Sequence, residues 1–315
     1  MHLLLALLLI VVAALAAFAL LTAVVASRIT KAFPPEGGFL ELGGERIHYR
    51  SLGTGPALVM VHGLAGQMKN FDYLPLEALA QRWRVILVDR PGSGRSPRAD
   101  ATKCGVAAQG RLIADFIRAL RLPQPPLLVG HSLGGAIALS AALQDPEAIA
   151  GLALIAPLTH QVRDVAEPFR PLAVRRAWLR RSIAWTLAVP VGILTMRKAV
   201  RAVFAPEPAP DDFGVRGGGM LGLRPSAFCA ASEDMIALED DLPFQQKRYG
   251  ELRLPVRVLY GEGDAVLDWR AQGEGLCAQV PQAQLTVVPG GHMLPVTQPA
   301  ATAAWLEEAA RASLR

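Results

Sequence analysis

Residues Leu127-Leu128-Val129-Gly130-His131-Ser132-Leu133-Gly134-Gly135 form an apolar run that enters Gly-x-Ser-x-Gly and continues into an alanine-rich stretch at 136–143. The order is strand, tight turn, helix, and few folds accommodate it. A serine at such a turn adopts a strained backbone conformation. Its neighbours must be small, because side chains there would strike the strand or the helix. Gly130, Gly134 and Gly135 meet that demand. Ser132 Oγ is then held out at the carboxyl end of a sheet. The N–H of Leu133, at the helix start, points where an oxyanion would form.

The flanking chain repeats the strand and helix alternation. Residues 57–61, 85–89, 127–129, 152–155 and 256–260 are continuous apolar or nearly apolar runs, as expected of strands buried on both faces. Residues 39–52 alternate in part around Gly43-Gly44 and predict a hairpin. Helices are expected over about 71–83, over 105–122 with one apolar face, near 269–279 and over 299–314, with a further strand at 284–288. Repeated strand and helix units predict an α/β fold, with a mostly parallel sheet covered on both faces. The alternation breaks after Pro157 and resumes near residue 252, so the irregular, mainly helical, Arg-rich middle reads as an inserted cap. In 315 residues this is one α/β domain with an insertion. Catalytic groups are expected on loops at the carboxyl ends of the strands.

Residues 3–26 carry no charge, and as a helix they would span about 36 Å, enough to cross a hydrocarbon core of about 30 Å. The stretch exceeds a typical signal-peptide core and has no basic residue before it, so residues 1–27 read as an uncleaved single-pass membrane anchor and 28–38 as a linker. Cleavage near Ala26-Ser27, with export of the remainder, is the competing reading. Arg28 and Lys31 follow the segment, which predicts a cytoplasmic catalytic domain. Cys104, Cys229 and Cys277 are few, odd in number and far apart, so neither a disulfide framework nor a metal site is expected. The net charge of +5 comes without basic runs interleaved with aromatics, and nucleic acid is not an expected partner.

A serine hydroxyl becomes nucleophilic at neutral pH through a base within reach and a group that orients the base. Of six histidines, His292 in Pro289-Gly290-Gly291-His292-Met293 lies on a glycine-flanked loop after the last strand, and it is the expected base. His131 is on the turn itself and should point away from Ser132. His48 falls mid-strand, as a solvated or core side chain, and His62 reads as a group that pins its own loop. The acid should follow a strand between Ser132 and His292. Asp264 in Tyr260-Gly261-Glu262-Gly263-Asp264 is the choice, with Glu262, Asp268 and Asp164 as rivals. The loop His62-Gly63-Leu64-Ala65-Gly66 offers a second oxyanion donor at the N–H of Leu64.

These loops, together with Asp89-Arg90-Pro91-Gly92-Ser93-Gly94-Arg95-Ser96, resemble the α/β-hydrolase superfamily across residues 39–157 and 252–314. The resemblance implies an α/β-hydrolase core over 39–157 and 252–315 and a cap over 158–251. It also implies a Ser132, Asp264 and His292 triad, backbone donors at Leu64 and Leu133, and a structural loop at 89–96. Epoxide hydrolases and haloalkane dehalogenases carry aspartate where this chain has Ser132. Proline iminopeptidases carry His-Gly-Gly-Pro-Gly where this chain has His62-Gly63-Leu64-Ala65-Gly66. No residue pattern calls for a metal or cofactor. Gly217-Gly218-Gly219 lacks a following Lys-Ser/Thr and reads as a cap loop.

The reading is a membrane-anchored serine hydrolase of carboxylic esters with apolar acyl chains, similar in layout to anchored monoacylglycerol lipases. A carbon–carbon bond hydrolase of the meta-cleavage type and a catalytically silent binding module are the alternatives. Residues 170–201 hold eight basic side chains and no acid, interleaved with Trp178, Trp185, Ile193 and other apolar residues. They read either as cap helices with a solvated Arg face or as a surface that lies on anionic headgroups and admits lipid.

Overall fold

The computed structural model describes residues 1–162 and 164–314; Arg163, inside the expected insertion, and Arg315, the last residue of the expected core, lie outside them. The chain opens with helix α1 (His2–Ala32), strands β1 (Gly38–Leu42), β2 (Glu45–Leu52) and β3 (Ala57–Val61), and the short helix α2 (Leu76–Leu79). Strand β4 (Arg84–Val88), helix α3 (Val106–Ala119), strand β5 (Leu127–His131), helix α4 (Leu133–Gln144) and strand β6 (Gly151–Ile155) follow. Helices α5 (Ala177–Thr186), α6 (Ala188–Phe204) and α7 (Pro225–Gln245) precede strand β7 (Val256–Gly261). Helix α8 (Gly275–Gln279), strand β8 (Ala283–Val288) and helices α9 (Leu294–Thr297) and α10 (Pro299–Ser313) complete the described chain.

The strands form one sheet in the order β1-β2-β4-β3-β5-β6-β7-β8. The β1 and β2 hairpin is antiparallel, as is the β2 and β4 pair, and every other pair is parallel. The expected α/β class with a mostly parallel sheet is therefore what forms. Alternate side chains of each buried strand face opposite layers, as the period of two requires. Val59, Val61, Leu128, Leu152, Leu154 and Val258 join a core with α3 and α4. Leu58, Met60, Leu127, Val129, Ala153 and Leu259 join a second core with Phe71, α2 and α10.

Two local expectations differ from the structure. The helix expected over 71–83 shrinks to α2 plus a short 3₁₀ turn (Met68–Phe71). Pro75 is the physical reason: it lacks an N–H and disfavours helical backbone in the residue before it, so α2 starts just after it. Conversely, α1 runs to Ala32, through residues 28–32 that read as linker.

Residues 89–96 turn sharply at Gly94, whose φ of +50° belongs to the left-handed region and where a Cβ would strike the Asp89 carboxylate. That carboxylate accepts from His48 Nδ1 at 2.8 Å, Met68 N at 2.9 Å and Arg95 N at 2.8 Å. The buried His48 is thus a core side chain that holds this loop.

Candidate active site

Ser132 sits between β5 and α4 with φ 55° and ψ −122°, a strained combination for a side-chain-bearing residue. Neighbouring backbone enforces it. Ser132 N donates to Ile155 O at 3.0 Å, and Ser132 O accepts from Gly135 N at 2.8 Å and Leu158 N at 3.0 Å. A Cβ on Gly130 or Gly134 would collide with backbone across the turn, and one on Gly63 would lie 2.8 Å from Ser132 Cβ. The small residues read from the sequence are therefore a packing requirement.

Asp264 and His292 meet at the ends of β7 and β8. His292 Nδ1 donates to Asp264 Oδ2 at 2.8 Å, while Asp264 Oδ1 accepts from Val266 N at 2.8 Å and Leu267 N at 2.9 Å. Burial alone would raise the Asp264 pKa. The adjacent His292 and the two backbone N–H groups outweigh it and hold the carboxyl below its ordinary value. The rivals Glu262, Asp268 and Asp164 are exposed, and none of them bonds His292. The His292 loop is fastened on both sides: Gly291 N donates to Glu207 Oε2 at 2.8 Å, and the His292 carbonyl accepts from His131 Nε2 at 3.0 Å. His131 thus acts on the His292 backbone.

His292, His131 and Ser132 line one cavity of about 840 Å³ beneath α6. Ser132, Leu64 and Leu133 also line a second, apolar cavity of about 130 Å³ beside α7. Among the described residues, Ser132 Oγ and His292 Nε2 have no hydrogen-bond partner. Among the same residues, the N–H groups of Leu64 and Leu133 donate to no carbonyl. Such hydrogen bonds commonly close only around a bound substrate. Ser132 and Leu64 thus lie where the two cavities meet, with the imidazole of His292 on the larger and Leu133 on the smaller.

Arg90, Gln109, Asp234 and Glu207 were not singled out from the sequence. Arg90 is fully buried and joins the loop at 62–63 to Asp234 of α7. The available signal was an arginine in the loop just after the strand, beside Asp89.

His62 and His131 are fully enclosed. Burial, and after it the Arg90 guanidinium, lowers the His62 pKa to about 3; burial, and after it His292, lowers that of His131 to about 3. Both are neutral in the fold, whereas an unfolded histidine titrates near 6.5. Folded values below the unfolded one mean stability that is intact above pH ~6.5 and lost as pH falls toward ~3. At pH 5 each group would cost about 2 kcal/mol. The melting temperature should therefore fall by on the order of 10 °C between pH 7 and pH 5, and His62→Gln should flatten that slope. Identical melting at the two pH values would contradict this account.

A sequence profile described as alpha/beta hydrolase fold matches residues 56–299. A pimeloyl-[acyl-carrier protein] methyl ester esterase from Chromobacterium violaceum is 31% identical over 253 residues, covering 78% of this chain and 90% of that one. A thermophilic esterase from Thermogutta terrifontis superposes with TM-score 0.70 at 22% identity, over 88% of this chain and 99% of that one. A bacterial membrane phospholipase A superposes with TM-score 0.68 at 24% identity, over 100% of this chain and 98% of that one. With the profile match spanning most of its length, and esterase-named relatives beside it, the chain belongs to the α/β-hydrolase family and is a hydrolase.

Proposed function

We propose that this chain is a membrane-anchored serine hydrolase that cleaves carboxylic esters of apolar acyl chains through an acyl-enzyme. The observation that carries the reading is the Asp264–His292 hydrogen bond at the rim of the cavity that Ser132 also lines. In the proposed sequence Ser132 Oγ attacks the ester carbonyl while His292 Nε2 takes its proton. The carbonyl oxygen becomes an oxyanion between the N–H groups of Leu64 and Leu133. The C–O bond then breaks, and the imidazolium returns its proton to the departing alcohol. Water, deprotonated by His292, attacks the acyl-serine; the bond to Ser132 Oγ breaks, the imidazolium returns the proton to that oxygen, and the acid leaves. Asp264 orients the imidazole and stabilises its cation. The methyl ester esterase name of the 31% identical relative supports ester substrates.

The acyl group is assigned to the smaller cavity, whose lining is apolar at Leu158, Phe169, Met235 and Leu238. Its volume of about 130 Å³ is close to that of cavities that admit benzene, about six carbons. Each CH₂ buried contributes about 0.8 kcal/mol, roughly fourfold in kcat/KM. With p-nitrophenyl esters, kcat/KM should climb about fourfold per carbon from acetate and level off near hexanoate. Turnover of an aromatic vinylogous dicarbonyl with none of the esters would replace this reading with carbon–carbon bond hydrolysis.

The membrane part of the proposal rests on α1 and its neighbours. At 31 residues α1 exceeds the length needed to span a bilayer, and its first two-thirds are exposed and apolar. Its carboxyl end packs on the insertion through Ile29, Phe33 and Leu221, and Arg95 Nη2 donates to Thr30 O at 3.0 Å. Cleavage after Ala26 would cut within this helix, which favours the anchor, and Arg28 and Lys31 favour a cytoplasmic catalytic domain. Beside α1, the sharply bent α5 and α6 expose Trp178, Trp185, Val191 and Leu194, with Arg175, Arg176, Arg181 and Arg197 at the surface. We assign this face to anionic headgroups. A chain lacking residues 1–27 should bind anionic vesicles at least about tenfold more tightly than neutral ones, less so in high salt. Equal binding to both would remove this assignment.

A further inference from the structure

Gly63 and Leu64 share one planar peptide unit, so whatever holds the Gly63 carbonyl also fixes the direction of the Leu64 N–H. That carbonyl accepts from Arg90 Nη2 at 2.8 Å, His62 Nδ1 at 2.9 Å and Gly66 N at 3.3 Å. Arg90 Nε donates to the preceding carbonyl, His62 O, at 3.1 Å, so one edge of the guanidinium straddles two consecutive peptide oxygens. His62 is locked in the tautomer this requires, because its Nε2 accepts from Arg90 N at 3.1 Å and leaves the proton on Nδ1. The opposite edge of the guanidinium is held from α7 and α3: Arg90 Nη1 donates to Asp234 Oδ2 of α7 and to Gln109 Oε1 of α3, both at 2.8 Å. Asp234 Oδ1 in turn accepts from Arg98 Nη2 at 2.5 Å and Gln109 Nε2 at 3.1 Å.

We infer that Arg90, held by Asp234, is a positioning residue for the oxyanion donor at Leu64, and that helix α7 thereby sets the alignment of that donor. The inference rests on the ester hydrolase reading. Enclosing a guanidinium costs several kcal/mol, and apolar packing of equal volume often stabilises as well, so stability alone does not account for this charge. A fork of donors on two adjacent carbonyls does what apolar packing cannot. It fixes a peptide plane, and a cationic donor on the carbonyl polarises the same unit's N–H toward a developing negative charge. The turn of α7 that carries Asp234 also carries Met235 and Leu238 in the wall of the smaller cavity. Filling that cavity therefore bears on the same turn that holds Arg90. Neither Arg90 nor Asp234 lines a cavity with Ser132, so neither touches substrate.

The test uses full-length Arg90→Lys and Asp234→Asn, with competent serines counted by fluorophosphonate titration so that each rate is per active site. A lysine reaches one carbonyl but not both, and kcat per site should fall about 30-fold with KM within twofold of wild type. An interaction made only in the transition state shows that pattern. The affinity for a trifluoromethyl ketone, which forms a tetrahedral oxyanion on the serine, should weaken by the same factor. Asp234→Asn should move both quantities the same way by about fivefold, and it decides the matter if Arg90→Lys does not fold. A per-site kcat within twofold of wild type, or a lower kcat with unchanged ketone affinity, overturns the inference. Wild type that neither labels nor turns over esters defeats the underlying ester hydrolase reading instead.

Discussion

Replacing Ser132 with alanine is expected to lower kcat for ester hydrolysis by about 10⁶-fold and to abolish fluorophosphonate labelling while leaving the fold intact. The size of the loss follows from the proposed mechanism, in which no other group forms the covalent intermediate. The small effect on stability follows from the structure. Ser132 is tied to its surroundings through its backbone N–H and carbonyl, and its Oγ has no partner among the described residues. Alanine keeps those backbone bonds and bears the same positive φ, so the unfolding free energy should change by less than about 1 kcal/mol. Adding His292→Ala to Ser132→Ala should cost little more, because groups that act as a unit are not additive. Melting curves read beside the ester assay check both halves. A variant that retains more than about 1% of wild-type turnover would mean that another nucleophile does the chemistry.

Asp264→Asn should cost about 10⁴-fold in kcat, and the bonding around this carboxylate gives the reason. Its Oδ1 takes the N–H groups of Val266 and Leu267, and its Oδ2 takes His292 Nδ1. Asparagine has a single oxygen. With that oxygen claimed by the two backbone donors, its NH₂ group faces Nδ1 and drives the imidazole proton to Nε2. The base is then present in its place but in the wrong tautomer, unable to accept a proton from Ser132. Labelling by a fluorophosphonate should slow by a similar factor, while KM changes little. A loss of less than tenfold would show that another group orients His292.

Both predictions concern residues that were legible in the sequence. Each directly follows a strand read from a short apolar or nearly apolar run, Leu127–Val129 for Ser132 and Val256–Tyr260 for Asp264. Ser132 was marked by its glycines, His292 by Gly290-Gly291, and Asp264 by Gly261 and Gly263. Position after a strand between Ser132 and His292 favoured Asp264 but left Glu262, Asp268 and Asp164 as rivals, and of these four only Asp264 is hydrogen-bonded to His292. The helix expected over 71–83 failed because apolar spacing was weighed above Pro75, and α1 proved longer than its uncharged stretch because Arg28 and Lys31 do not stop a helix.

By itself the sequence determined the α/β class, the strands and the turn at Ser132, since these follow from side-chain periodicity and from glycine within a few neighbouring residues. The tertiary structure alone decided that β4 lies between β2 and β3, that Glu207 and His131 fasten the loop of His292, and that Asp234 reaches Arg90 across 144 residues of chain. Such pairings depend on how distant segments close upon one another as the layers pack. Loop closure changes slowly with chain length and leaves no periodic trace in the residues that finally meet.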